Sequence, residues 1–291
     1  MLSPSLKSHI GQILNGTIQK VEAVSGGDIS KAYCLYTPTQ RFLCKINNDP
    51  SALKMFDTEK EGLKEINLSK AIAVPQVLGS GEFEGSSFLL MEFIETKKPN
   101  LKDMETFGHQ LAQMHSFSVG DSFGWKQDNL IGSLPQSNAH HLEWTSFYVY
   151  ERLIPQLQMA AHKKLLPIQQ IPKENTLLKG CRRFFPEVKP ALLHGDLWSG
   201  NYLVGTQGTP YLIDPAVYYG HAEVDMAMTR LFGGFTASFY DAYAEHFPLV
   251  EGVRERTDLY QLYYLLVHLN LFGKSYYPSV IGLLERYFIS S

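Results

Sequence analysis

The chain has 291 residues, of which 44% are hydrophobic and 19% are charged, and its formal net charge is -3. This composition is typical of a folded globular protein with room for two lobes, and it excludes a disordered or fibrous chain. The 26 basic residues are balanced by 29 acidic ones, without a long basic run. We therefore expect no binding to nucleic acid or to an anionic membrane.

Cysteine usage and the N-terminal segment indicate the compartment. Cys34, Cys44 and Cys181 are an odd number of cysteines at unrelated spacings, which predicts neither a disulfide framework nor a zinc site. Residues 1–16 predict a short amphipathic helix instead of a signal peptide. No later window approaches the run of about 20 apolar residues that a membrane helix needs. We expect a cytoplasmic protein without a membrane anchor.

The N-terminal third of the sequence has mainly strand patterns. Five runs predict strands: 17–24, 31–37, 40–47, 74–80 and 86–94. Turn-forming residues follow each of the first two runs, so the first three strands are predicted to be antiparallel neighbours. Between the third and fourth runs, residues 51–69 have a helical apolar period, with Ser51 as the N-cap.

Helical patterns dominate beyond Glu95. They cover residues 103–118, residues 142–161 and the stretch from Val224 onward. The intervening segment 119–141 is rich in Gly, Asn, Gln and Ser and is long for a connection between helices. Such a segment predicts a functional or lid-like loop that helps to shape a substrate pocket.

The segment 191–215 contains the most informative motif. A His-Gly-Asp sequence ends at Asp196, and Asn201 follows after four residues, which is the spacing of the kinase catalytic loop. Asp214 ends the next apolar strand, where protein kinases place a magnesium-binding aspartate. Each motif alone is typical of an ordinary turn, but their order and spacing favour a kinase. We predict Asp196 as the catalytic base and Asn201 and Asp214 as Mg2+ ligands, because Mg2+ prefers carboxylate and amide oxygens.

Two features of the predicted sheet indicate where ATP binds. Ser25, Gly26 and Gly27 lie between the first two strands, where backbone N–H groups can contact phosphates, although a glycine pair is also typical of an ordinary hairpin turn. Lys45 lies in the third strand, at the position where a kinase lysine reaches the nucleotide phosphates.

The predicted helix after Lys45 offers a carboxylate partner for this lysine. We select Glu59, because it borders the apolar stripe, whereas the other acidic residues lie on the solvated face. These alternatives are Asp57, Glu61 and Glu65.

Glu92, Phe93 and Ile94 end the fifth predicted strand at the boundary between the lobes. At this position backbone groups can contact an adenine, but an apolar strand end gives the same pattern. We predict these three residues as part of the nucleotide site.

The sequence resembles the fructosamine kinase family, also called ketosamine-3-kinases, a branch of the kinase-like superfamily that includes aminoglycoside phosphotransferases and choline kinases. The resemblance rests on HGDLWSGN at 194–201, IDPAVYYGH at 213–221 and LFGGF at 231–235, and further matches cover nearly the whole chain. It implies an α+β, protein-kinase-like fold, with a five-stranded antiparallel sheet and one main helix in lobe 1–95 and a mainly helical lobe 96–291.

The resemblance also implies an activity, which is the transfer of the γ-phosphoryl group of ATP, with Mg2+, to the 3-hydroxyl of a ketosamine on a small amine or a protein lysine. Six residues are implied as candidates for the acceptor pocket: Trp198, Tyr218, Tyr219, His221, Glu223 and Asp225. Core packing and helix capping are the structural alternatives for these residues.

Two other functions stay open at this point. A kinase of the same fold can act on an aminoglycoside, on choline or on a sugar, and a catalytically silent protein can bind ATP without transfer. The complete set of Lys45, Asp196, Asn201 and Asp214 argues against the silent protein. Family expectation favours a monomer.

Overall fold

The computed structural model describes residues 2–24, 30–117, 120–248 and 250–289. Within these residues the N-terminal part forms a five-stranded antiparallel sheet with the strand order β1-β2-β3-β5-β4. The strands are β1 (Lys20–Val24), β2 (Lys31–Tyr36), β3 (Arg41–Asn47), β4 (Val77–Phe83) and β5 (Ser86–Glu92). All five strand predictions are confirmed, whereas Ser25, Gly26 and Gly27 lie outside the described residues.

Helices cover both faces of this sheet. Helix α1 (Pro4–Ile13) begins at the predicted amphipathic segment, and helix α2 (Ala52–Leu68) occupies the predicted span after β3. Alternate side chains of β3 are buried with α1, and a second apolar cluster packs α2 against β5. Strand β5 is buried on both faces, which explains its continuous apolar run.

The C-terminal part is mainly helical. Its helices are α3 (Leu101–His115), α4 (Trp144–Phe147), α5 (Ile154–His162), α6 (Glu174–Arg182), α7 (Glu223–Leu231), α8 (Ala237–Ala244), α9 (Val253–Phe272) and α10 (Tyr277–Leu284). A π-helical segment, Tyr148–Leu153, joins α4 to α5, so the predicted helix at 142–161 is one helical stretch with a wider turn inside it. Helix α9 is buried on most sides and forms the centre of the core, which agrees with its apolar residues lying all around the axis.

Within the described residues, three short antiparallel strand pairs lie between these helices. Strand β6 (Asn129–Ile131) pairs with β7 (Leu134–Gln136), β8 (Ala191–Leu193) pairs with β11 (Tyr218–Gly220), and β9 (Tyr202–Val204) pairs with β10 (Pro210–Leu212). Strands β8 to β11 surround the predicted catalytic segment. The first pair lies inside 119–141, so the segment predicted as a loop contains a short hairpin.

The connection between the sheet and the helical part follows β5. The main-chain oxygen of Glu95 accepts from Thr206 N at 3.0 Å, and Lys97 N donates to Val204 O at 3.0 Å. The chain is therefore tied to the β9–β10 hairpin where it leaves the sheet, close to the proposed boundary at residue 95. The prediction of an α+β fold is confirmed. In the described part of the chain, the helices are too short or too polar to cross a membrane.

Candidate active site

The predicted catalytic loop connects β8 to β9 and places two predicted residues in contact. Asn201 Nδ2 donates to the main-chain oxygen of Asp196 at 2.8 Å and to Asp196 Oδ2 at 3.2 Å. Both hydrogen bonds use the amide nitrogen of Asn201, so its Oδ1 atom is available to another ligand. Asp196 is partly buried, and its Oδ1 atom accepts no hydrogen bond from the described residues.

A fully buried carboxylate fixes the start of this loop. Asp225, in the first turn of α7, accepts hydrogen bonds from the main-chain N–H groups of His194 at 2.7 Å and Gly195 at 2.9 Å. His115 Nε2 donates to the same carboxylate at 3.1 Å. Burial opposes the charge of Asp225, but the His115 contact and the backbone donors outweigh it and lower its pKa.

His194 connects the catalytic loop to the Asp214 segment. Its Nε2 donates to Ile213 O at 2.9 Å, and its Nδ1 accepts from Asp196 N at 3.2 Å. The ring is therefore the neutral tautomer with its proton on Nε2, which agrees with a pKa of His194 that burial lowers.

An ion-pair cluster joins the sheet to the catalytic segment. Lys45 Nζ lies 2.7 Å from Glu59 Oε1, and it also forms an ion pair with Asp214 Oδ1. Burial opposes the Lys45 charge, but the two carboxylates outweigh burial and raise its pKa. Burial likewise opposes the charge of Asp214, but the Lys45 ammonium lowers the pKa of that carboxyl. The cluster therefore holds Lys45 and Asp214 in their charged forms.

The structure distinguishes Glu59 from its three alternatives. Asp57 accepts from Ser80 Oγ at 2.7 Å, and Glu61 forms an ion pair with Lys126 at 2.8 Å. The third, Glu65, accepts from a tyrosine hydroxyl at 2.9 Å. Only Glu59 of these acids contacts the predicted lysine among the described residues, so the predicted contact is present.

The predicted base has an unusual charge environment. Burial and the nearby Asp214 carboxylate raise the pKa of Asp196 to about 7, and the Asn201 hydrogen bond opposes this shift. A carboxylate with a raised pKa is a stronger proton acceptor than an ordinary surface aspartate.

The donor set fits a magnesium ion. Asn201 Oδ1 carries no hydrogen bond within the described residues, and the Asp214 side chain is 35% exposed. One amide oxygen and one carboxylate suit Mg2+, whose remaining ligands in kinases are phosphate oxygens and water. Asp214 also has a left-handed backbone conformation with φ of 54°, which is uncommon for a residue with a side chain.

Comparison with known proteins identifies the family. The sequence model described as fructosamine kinase matches residues 3–290. The chain belongs to the fructosamine kinase family. A protein of Enterococcus faecium named "Probable ketoamine kinase" is 40% identical over 279 residues, covering 94% of this chain and 96% of that protein. The chloroplastic protein-ribulosamine 3-kinase of Oryza sativa subsp. japonica is 37% identical over 276 residues, covering 93% and 79%.

Solved structures agree with this membership. A protein of Haemophilus somnus named "Putative fructosamine-3-kinase" has a TM-score of 0.87 and 29% identity, with coverage of 97% of this chain and 96% of that one. An aminoglycoside phosphotransferase has a TM-score of 0.66 at 15% identity over 99% of both chains, which shows the fold alone. The predicted family and kinase-like fold are confirmed, and membership of the fructosamine kinases identifies the protein as an ATP-dependent kinase.

The predicted adenine-binding residues of this family member lie at the end of β5. The Glu92 side chain is exposed, and its Oε2 accepts from Gln76 N at 3.2 Å. The Phe93 ring is covered by the Arg41 guanidinium at 4.9 Å, while Ile94 is buried. These positions form the passage from the sheet to the helical part, and a contact with adenine remains a prediction.

Of the six predicted acceptor residues, Trp198 is the most exposed, with 38% of its surface accessible. Tyr218 is fully buried and stacks on Phe147 with ring centroids 5.5 Å apart. Tyr219 is also buried, and its hydroxyl donates to Glu65 Oε1 at 2.9 Å. Packing is therefore the role that the structure supports for the two tyrosines.

The other three acceptor candidates of this kinase are also occupied by internal contacts. His221 Nδ1 lies 2.7 Å from the Tyr260 hydroxyl, and Glu223 forms a two-point ion pair with Arg256 at 2.6 and 2.8 Å. Asp225 holds the catalytic loop, as described above. The structure does not bring these residues to the surface next to Trp198, because each of them joins α7 or its preceding turn to the core.

Three buried amide side chains near the site were not predicted from the sequence. Asn129, Gln136 and Asn138 are at most 6% exposed. The first two donate to the chain just after Asp214, and Asn138 donates to Asn129. The amide-rich composition of 119–141 was the available signal, but composition alone does not distinguish a solvated loop from a buried network.

Proposed function

We propose that this kinase phosphorylates the 3-hydroxyl of ketosamines, with Asp196 as the base. The observation that carries the proposal is the contact of Lys45 with both Glu59 and Asp214, beside the Asp196–Asn201 pair. This arrangement matches the division of tasks in kinases. The substrate class is supported by relatives named ketoamine kinase and protein-ribulosamine 3-kinase.

In the proposed reaction, Asp196 accepts the proton of the ketosamine 3-hydroxyl. The oxygen of that hydroxyl forms a bond to the γ-phosphorus of ATP. The bond between that phosphorus and the bridging oxygen breaks, and ADP leaves. Lys45 contacts the phosphates, and Glu59 orients Lys45. Asn201 and Asp214 would hold Mg2+, which supplies positive charge against the phosphate oxygens.

The acceptor would contact Trp198. The exposed indole of Trp198 lies two residues after Asp196 in the sequence. It provides a flat apolar surface, which suits the carbon face of a sugar or the alkyl chain of a glycated lysine. For the nucleotide, we propose that backbone groups at Glu92, Phe93 and Ile94 bind adenine.

We also propose a reducing, cytoplasmic location and a monomeric state. The three cysteines are free and buried, and burial raises the pKa of Cys44 to about 12, so this thiol is unreactive.

Transfer from ATP to a panel of acceptors tests the substrate class. The panel contains ribulosamine and fructosamine derivatives of lysine, an aminoglycoside, choline and a sugar. We expect Mg2+-dependent transfer to the ketosamines alone. Transfer only to another alcohol would contradict the substrate class and keep the mechanism, and ATP binding without any transfer would favour a silent protein.

Variants of the two aspartates test the assigned roles. Asp196→Asn is expected to abolish turnover and to leave ATP binding intact, because it removes the proton acceptor and keeps the side-chain shape. Asp214→Ala is expected to lose Mg2+-dependent ATP binding, measured by calorimetric titration. Retained turnover in Asp196→Asn would overturn the base assignment.

A further inference from the structure

Three buried amide side chains lie in the segment that the sequence predicts as a lid-like loop. We call Asn129, Gln136 and Asn138 the amide cluster, and their exposed fractions are 6%, 2% and 1%. Burying an amide is unfavourable unless its donors and acceptors find partners. The partners of this cluster therefore indicate what the cluster does.

Two members of the amide cluster bind the main chain just after Asp214. Asn129 Nδ2 donates to Val217 O at 2.8 Å, and Gln136 Nε2 donates to Ala216 O at 3.1 Å. Gln136 Nε2 also donates to Asn129 Oδ1 at 2.8 Å, so the two amides form one unit. Two consecutive carbonyls of the segment are thus held from one side.

The catalytic loop holds the same segment from the other side. Ile213 N donates to Asn201 O at 3.1 Å, and Ala216 N donates to His194 O at 2.9 Å. Asp214 lies between these contacts with its left-handed φ of 54°. A residue with a side chain keeps such a conformation only where its surroundings fix it.

We infer that the amide cluster positions the Asp214 segment, and with it the Mg2+-ATP site. The inference rests on the proposed function, in which Asp214 is a metal ligand. Asn129 and Gln136 act through main-chain carbonyls of the segment, and Asn138 acts through Asn129, to whose Oδ1 it donates at 2.9 Å. All three are positioning residues for the reaction.

The cluster is itself fixed by the helical core. Tyr263, in α9, donates its hydroxyl to Gln136 Oε1 at 2.6 Å. Arg152 is fully buried, and it donates to Asn138 Oδ1 at 2.7 Å and to Ser137 O at 2.5 Å. A lid that opens would break all of these buried contacts. The segment 129–138 is therefore part of the rigid support of the site.

A shift of the held carbonyls would also reach the catalytic loop. A Cβ atom placed on Gly195 would lie 2.1 Å from Ala216 O, so these two backbones are in close contact. The Ala216 carbonyl is the one that Gln136 binds. The amide cluster therefore helps to position the backbone next to Asp196 as well as the Asp214 segment.

The variant Gln136→Met tests the inference, because it removes both donors and the acceptor while nearly keeping the side-chain volume. Asn270→Leu is the matched control. Asn270 is a buried amide of α9, 5% exposed, and its Nδ2 donates to the Gln156 side chain at 2.8 Å. The Asn270→Leu variant therefore removes a comparable buried amide that does not contact the Asp214 segment. Tyr263→Phe is a milder second variant, which deletes only the hydroxyl that binds Gln136.

The first measurement is amide hydrogen exchange of Ile213, Asp214, Ala216 and Val217 in the ligand-free protein. We expect about tenfold faster exchange in Gln136→Met, a smaller increase in Tyr263→Phe, and no change at these residues in Asn270→Leu. Unchanged exchange in Gln136→Met and Tyr263→Phe would overturn the inference, and so would an equal increase in the control.

The second measurement is calorimetric binding of Mg2+-ATP and of ADP without metal. We expect Gln136→Met to bind Mg2+-ATP about tenfold more weakly, a loss of about 1.4 kcal/mol, and to bind metal-free ADP as the wild type does. Unchanged Mg2+-ATP affinity in this variant would contradict the inference. If the wild-type protein binds no Mg2+-ATP, the proposed function fails, while hydrogen exchange still decides whether the cluster holds the segment.

Discussion

Gly195 shows how strictly single residues determine the catalytic loop. Its φ is 83°, and an added Cβ would lie 2.1 Å from Ala216 O and 3.4 Å from the Tyr218 ring. The Gly195 main chain is also fixed, because its N–H binds Asp225 and its oxygen accepts from the Tyr264 hydroxyl at 2.9 Å. The backbone therefore has no room to move away from a side chain.

We predict that Gly195→Ala lowers the free energy of unfolding by about 3 kcal/mol or more and abolishes phosphate transfer, because strain and a steric clash add together. Gly85→Ala is the control. Gly85 also has a positive φ of 72°, but nothing lies within 4 Å of its added Cβ, so only backbone strain of about 1–2 kcal/mol is expected. Urea unfolding measures both variants. Equal destabilisation by the two substitutions would contradict this account of Gly195.

His221 gives the folded protein a specific pH dependence. Burial and the nearby Arg256 guanidinium lower the pKa of His221 from 6.5 to about 3. Below pH 6.5 the unfolded chain binds a proton at this residue that the folded protein does not bind. Its contribution to stability is therefore complete above pH 6.5 and is lost as the pH falls from 6.5 towards 3.

We predict that His221→Asn has a flatter dependence of stability on pH than the wild type. The asparagine can accept from the Tyr260 hydroxyl, but it does not titrate. Between about pH 6.5 and about pH 5.5, the wild type is expected to lose about 1 kcal/mol more than the variant. Urea unfolding at both pH values measures this difference. Equal losses in the two proteins would show that the His221 pKa is not lowered.

At the scale of elements, a buried ion pair joins α7 to α9. The Arg256 side chain is 3% exposed, and it donates to both carboxylate oxygens of Glu223. It also donates to Glu251 O at 2.7 Å. Removing one member of a buried pair leaves the other charge without its partner, which is strongly destabilising.

We predict that Glu223→Gln lowers the free energy of unfolding by about 2 kcal/mol and leaves the KM for a ketosamine unchanged. The matched control is Glu143→Gln. Glu143 pairs with Arg182 on the surface, with both side chains more than half exposed, so no measurable loss is expected. Thermal unfolding and steady-state kinetics test both variants. A raised KM without a loss of stability would instead support the predicted contact of Glu223 with the acceptor.

Helices and strands with a clear hydrophobic period were predictable from the sequence. Elements that are stabilised by contacts with residues far away in the sequence were not. The alternating runs gave the sheet, because one or both faces of each strand are buried. The hairpin β6–β7 has only three residues in each strand, and buried amides stabilise it instead of an apolar face. These amides bind the carbonyls of Ala216 and Val217, which are distant in the sequence. The pattern around the hairpin therefore predicted a loop.

At the scale of the whole molecule, the site forms where the sheet and the helical part meet. Lys45 and Glu59 come from the sheet region, and Asp214 comes from the catalytic segment more than a hundred residues later. Kinase motifs predicted Lys45 and Asp214, because each motif is short and carries chemistry, and the apolar stripe of the helix predicted Glu59. Acceptor residues were harder to predict, because burial depends on packing: Tyr218 and Asp225 carry polar groups but point into the core.

Single-turnover transfer from ATP to a ribulosamine derivative of lysine, with the product position mapped by phosphorus NMR, tests the central claim most directly. We expect one phosphate on the 3-hydroxyl from the wild type and none from Asp196→Asn, although the variant still binds Mg2+-ATP. A phosphate on another hydroxyl, or product formed by Asp196→Asn at the wild-type rate, would contradict the account.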